Sequence, residues 1–201
     1  VSASPTPDTL IRTSHGLEQF FSVLAERSRL EVLDLGEFTQ ANVEFITGLG
    51  HRLTFEDVLR TADAIFGPGD PATTQSSPEA CQRFLDQVLQ YAPLRFDAIL
   101  VWDVFEHLTR PLMLEVLARL HRLLRPQGLL LACFHAEGPG DVVDTFSFRI
   151  ADARTLLLKP RGARKVAQAF NNRAIERLFE QFQSVKFFLT RDYLREVIVR
   201  R

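Results

Sequence analysis

The sequence predicts an α/β fold, a three-layer sandwich in which a parallel sheet lies between helices and an antiparallel hairpin closes the chain. Two observations carry this. Short apolar runs alternate with segments whose apolar residues recur every three to four positions, which is strand and helix in turn. In the last quarter, two strand-like runs follow one another with no helix between them.

Taken in order, Leu17, Phe20, Phe21 and Leu24 form a helical stripe, followed at once by the buried-strand run Val32, Leu33 and Leu35. Val43, Ile46 and Leu49 mark a second helix over 42–49, and Leu53 and Phe55 a strand over 51–55. Segment 67–78 has turn composition and reads as a surface loop, with Ser76 and Pro78 placed to cap and start the next helix. That helix is expected over 79–91, through Cys81, Phe84, Leu85, Val88 and Leu89, and a strand over 96–101 follows. A helix over 111–124 and a strand over 129–134 repeat the pattern. Phe146, Phe148 and Ile150 then alternate with polar neighbours. A helix carrying Ile175, Leu178, Phe179 and Phe182 precedes runs 185–190 and 194–199, joined around 191–193. Between 58 and 95 there are helical patterns and no convincing strand. Residues 1–10 are expected to be loose and 11–201 to form one domain.

Composition narrows the function. The chain has 24 Lys+Arg against 25 Asp+Glu in 201 residues, so its overall field does not favour nucleic acid or anionic lipid. The longest apolar run, Leu129 to Phe134, is far below the roughly 20 residues that span a bilayer. The start VSASPTPDTL has neither a basic nor an apolar leader region. The two cysteines, Cys81 and Cys133, sit in apolar patterns and fit a reducing compartment. A cytoplasmic protein with no general nucleic-acid binding and no membrane attachment is expected.

In such sheets ligands bind beyond the carboxyl ends of the strands. The first expected strand ends in Asp34-Leu35-Gly36-Glu37-Phe38-Thr39-Gln40, the second in Glu56-Asp57, the next in Trp102-Asp103 leading to Glu106-His107, and the next in His135. Glu56 follows Asp34 by 22 positions, the spacing of an acid that bonds ribose hydroxyls. If Asp103 opens a helical turn, Asp103, Glu106 and His107 come to one side. There they can ligate a hard divalent cation or hold His107 as a general base. His107 is taken as the catalytic candidate, and no residue as a metal ligand. Lys159 to Lys165 carries four positive charges in seven residues. It reads as a solvated loop, or as a clamp for an anionic acceptor, a phosphate backbone or an acidic protein.

At three stretches the chain resembles the class I S-adenosylmethionine-dependent methyltransferases. These are VLDLGEFTQANVEFITGLGHRLTFED, FDAILVWDVFEHLTRPLMLEVLARLHRLLRPQGLLLACF and the closing helix with its hairpin, together about residues 30–200. The resemblance implies a Rossmann-like fold, here lacking the third, edge strand. It implies S-adenosylmethionine as methyl donor, contacted by Asp34, Gly36, Glu37, Glu56, Trp102 and Asp103, with His107 near an acceptor. The family's first motif reads DxGxGxG, and here Phe38 and Gln40 replace its later glycines. Methyl transfer therefore stands beside an alternative, an inactive domain of this type serving as a protein-interaction or regulatory module. If the ring of Phe38 fills the donor's place, Phe38→Gly should restore binding.

Overall fold

The computed structural model describes residues 9–135, 142–188 and 194–201. Its main sheet has the order β3-β2-β4-β5-β9-β8, built from β2 (Glu31–Asp34), β3 (Arg52–Phe55), β4 (Phe96–Trp102), β5 (Leu124–His135), β8 (Ser184–Phe188) and β9 (Leu194–Arg200). The pairs β2–β3, β2–β4 and β4–β5 are parallel. The pairs β5–β9 and β9–β8 are antiparallel, as the terminal hairpin requires. Its expected turn at 191–193 lies outside the described residues. From β2 the chain goes first to β3 on one side and then to β4 on the other, so the topological switch falls between β2 and β4.

Among the described residues no strand lies beyond β3, and segment 58–95 is helical at α3 (Val58–Phe66), α4 (Pro71–Thr74) and α5 (Pro78–Gln87). No strand forms within 58–95, as the sequence predicts. Ser77, not Ser76, caps α5 by accepting from Ala80 N at 3.2 Å. That helix ends earlier than its apolar spacing suggests, because Leu89 turns to φ 59° and gives its N–H to Glu56.

One face of the sheet is covered by α3, α5, α6 (Arg110–Leu123) and α7 (Asn172–Leu178), whose side chains form the larger apolar core. The other face carries α1 (His15–Ala25) and α2 (Gln40–Gly48), with a feature the sequence did not announce. A second, three-stranded antiparallel sheet, ordered β1-β7-β6, packs there through β1 (Leu10–Thr13), β6 (Val142–Asp152) and β7 (Thr155–Lys165). Phe148 and Ile150 from β6 and Leu156 and Leu158 from β7 join Leu17, Phe20, Val32 and Trp102 in the second core. Period-2 alternation turns these apolar residues inward. Leu10, expected within the loose start, opens β1, and residues 1–8 lie outside the described set.

The basic run 159–165 is therefore not a solvated loop but the second half of β7. Pro160, which has no N–H to give, sits where the β6–β7 register shifts, pairing with Phe146 while Gly162 pairs with Thr145. Arg161 is the extra residue of that bulge, and its side chain is directed across the strand ends. No helix among the described residues is long and apolar enough to cross a membrane.

Candidate functional site

Asp34 ends β2 at the topological switch and is fully buried. Its Oδ1 accepts from Gly36 N at 2.9 Å and from Trp102 Nε1 at 2.6 Å, and its Oδ2 from Asn42 Nδ2 at 2.8 Å. Burial pushes its carboxyl up to about 6, against the lowering effect of these three donors. Trp102 ends β4 with φ 57°, an uncommon conformation for a bulky residue, and that turn directs its indole across the strand end. A Cβ on Gly36 would meet Trp102 Cδ1 at 3.0 Å and Nε1 at 3.1 Å. The small residue kept from the family motif thus makes room for the protein's own tryptophan. On its other side the indole stacks on Phe148 of β6, with centroids 4.8 Å apart and planes at 11°.

Asn42 secures this arrangement. It donates to Asp34 and, at 3.0 Å, to the carbonyl of Phe148, and it accepts from Ile150 N at 2.8 Å. Three elements, β2, α2 and β6, are joined through one side chain. Thr39, whose hydroxyl accepts from Asn42 N at 3.2 Å, starts α2 and fixes that position.

Glu56 does not face Asp34. Phe55 is the register partner of Asp34, so the next residue projects to the opposite side of the sheet. Its Oε1 accepts from Leu89 N at 2.6 Å. Burial raises its carboxyl above the usual range, tempered by Leu89 N–H, Tyr91 and Arg119. The expected pair of carboxylates around one cleft is not formed, because strand alternation separates them. The ring of Phe38 does not fill the strand-end crevice: it is 63% exposed and rests edge-on against Phe55 at 5.1 Å.

The Asp103, Glu106 and His107 trio does not converge either. Residues Val104–His107 form a 3₁₀ turn. There Glu106 is drawn to the end of β5, accepting from His135 N and meeting His135 Nδ1, each at 2.7 Å. Burial raises the Glu106 carboxyl, although His135 works against it. Asp103 is left with His107, whose Nε2 is 3.8 Å from Asp103 Oδ2. Burial acts to raise Asp103, but the neighbouring His107 and His135 outweigh it and hold the carboxyl below its ordinary value. No group of three His, Cys, Asp or Glu among the described residues is placed to hold a metal ion.

A cleft of about 390 Å³ opens beside this region, between α3, α4 and β7, with Gln75 and His107 among its lining residues. Arg161 bonds Asp57 at 3.1 Å and lies 3.8 Å from Glu37. Arg164 bonds Asp63 at 2.6 Å, and Lys165 bonds Asp70. Glu37, expected at the donor's turn, is thus part of an ionic latch that ties β7 to the strand ends. Sequence reasoning missed Asn42 and Phe148. Asn42 is a polar residue on the inward stripe of a helix, beside Ile46, and such a residue needs a buried partner.

A sequence profile described as a methyltransferase domain matches residues 12–184. No curated protein sequence matches the chain. Among solved structures, the chain is similar to the 1,6-didemethyltoxoflavin-N1-methyltransferase of Burkholderia thailandensis, crystallised with 1,6-didemethyltoxoflavin and S-adenosylhomocysteine. The TM-score is 0.55 at 17% identity, covering 92% of this chain and 76% of that one. It is also similar to the PH0226 protein of Pyrococcus horikoshii OT3, with a TM-score of 0.52 at 13% identity, covering 92% and 88%. Both likenesses concern the fold.

Proposed function

Since the chain belongs to the methyltransferase domain family, we propose that it is a methyltransferase-type domain whose S-adenosylmethionine crevice is held shut by its own side chains. The donor binds only when Trp102 and β6 give way. One observation carries this reading: the Trp102 indole lies on Gly36, bonded to Asp34 and stacked on Phe148, where the motif leaves space for the donor's amino acid end. As placed, these residues do not fit the donor. Both oxygens of Asp34 are taken by the protein's own donors, and Glu56 is turned away to Leu89. In this closed form the chain's residues hold the site rather than perform transfer. A methyl acceptor and His107 as its base belong to the opened form.

Calorimetry with S-adenosylmethionine and with S-adenosylhomocysteine tests the proposal on the wild-type chain, Trp102→Ala and Phe148→Ala. The expected result is no heat from the wild type and micromolar binding by at least one variant. Micromolar binding by the wild type overturns it. A second reading is favoured by Phe38 and Gln40 at the later glycine positions of the motif. It is the domain that has given up the donor and serves as a protein-interaction or regulatory module, and silence from all three proteins selects it.

A further inference from the structure

The main sheet ends on two edges of different character. On one, β8 carries Lys186 in mid-strand, a charge that discourages pairing with another chain. On the other, β3 reads Arg52-Leu53-Thr54-Phe55, with no proline, bulge or mid-strand charge. Arg52 N–H bonds the carbonyl of Leu30 at 2.8 Å, and Glu56 N–H that of Asp34 at 2.9 Å. Alternate residues of a parallel strand face the same neighbour, so Arg52, Thr54 and Glu56 serve β2 while the N–H and C=O groups of Leu53 and Phe55 point outward. Among the described residues these outward groups have no partner. Leu53, Thr54 and Phe55 are each only partly buried, and the exposed ring of Phe38 extends the apolar surface beside Phe55.

We propose that this edge pairs with β3 of a second copy of the chain, antiparallel about a twofold axis beside Thr54. Such a pair sets Thr54 against its own counterpart, Leu53 against Phe55, and Arg52 against Glu56 of the second copy. In this register the strand is self-complementary. The outward-facing Leu53 and Phe55 exchange both of their hydrogen bonds, apolar meets apolar, and opposite charges meet at the ends. Sliding to a neighbouring symmetric register loses the match of Arg52 with Glu56. Arg52 is 81% exposed in its side chain, and its ion pair with Glu31 contributes too little to hold it from the new partner. The pairing lies apart from Asp34 and Trp102 and does not depend on whether the crevice admits a methyl donor.

Sedimentation velocity of the wild-type chain across the micromolar range should show a concentration-dependent dimer. Thr54→Lys sets like charges opposite each other, and Leu53→Pro removes an outward N–H while leaving the bonds to β2 in place. Each should weaken association by about tenfold or more, with unchanged Trp102 emission marking an intact fold. Thr54→Cys gives a positive readout. Directly opposed residues at a non-hydrogen-bonded pair lie within disulfide reach, so mild oxidation should link this variant, and neither Arg52→Cys nor the wild type, into a covalent dimer. A wild-type chain that stays monomeric overturns the proposal and leaves the edge to a strand of another protein. So does a dimer indifferent to Thr54→Lys, which uses another face, or a Thr54→Cys variant that links no faster than Arg52→Cys.

Discussion

Over the ends of β2 and β4, Asp34 and Asn42 meet their partners inside the protein and Trp102 is 1% exposed. Between α3 and β7, by contrast, Arg161, Arg164 and Lys165 face their acids at the rim of an open cleft. The same β6–β7 hairpin builds both places, giving Phe148 to the first and its cations to the second. The two places should differ in how strongly they resist disruption. A buried network leaves unpaired groups when broken, whereas half-exposed ion pairs exchange with water at little loss.

The largest effect is expected at Trp102. Trp102→Ala removes the stack, a bond to Asp34 and a buried ring, and should lower unfolding free energy by about 3–5 kcal/mol in chemical denaturation. A loss below about 1 kcal/mol means the indole is not packed as described.

Asp34 gives an effect of similar size through pH. Its carboxyl titrates at about 6 in the folded chain, against an ordinary value of 3.8. The folded state therefore binds the proton more tightly than the unfolded one. Stability from this group is greatest at low pH and falls as pH rises from about 4 to about 6, by up to roughly 3 kcal/mol. Comparing pH profiles of wild type and Asp34→Asn isolates it: the wild-type curve should fall more steeply across that window. Parallel curves contradict the assignment.

Asn42→Ala strands Asp34 Oδ2 and Ile150 N–H, with an expected loss of about 2–3 kcal/mol and faster amide exchange in β6. Unchanged exchange at Ile150 would remove Asn42 from the account. The rim should respond far less. Arg164→Ala is expected to change stability by about 1 kcal/mol or less, with the difference shrinking in high salt. Phe38→Gly, at an exposed ring, should leave donor binding as it is in the wild type, and restored binding would move the obstruction from Trp102 to Phe38.

Much of the fold was legible because burial writes it plainly. Ala98–Trp102 of β4 and Leu129–Phe134 of β5 are unbroken apolar runs between helical stripes, and the lack of a strand between 58 and 95 could be read from the same rule. The second sheet was not legible as a sheet. β1 is four residues long and pairs with β7 far along the chain, and the charges of 159–165 hide a strand whose cations find partners only in three dimensions. At the site, residue types were read well and directions poorly. Asp34, Gly36 and Trp102 do gather at one strand end, but the left-handed turn at Trp102 sends its ring onto Gly36. Strand alternation turns Glu56 away, and Glu106 leaves its neighbours for His135. Each is a matter of side-chain direction, set by tertiary partners.

Because Trp102 is the only tryptophan in the chain, its fluorescence reports on the crevice directly. A shut crevice predicts blue-shifted emission that acrylamide barely quenches and that S-adenosylhomocysteine leaves unchanged. Red-shifted, readily quenched emission, or a saturable response to S-adenosylhomocysteine in the wild-type chain, would contradict it.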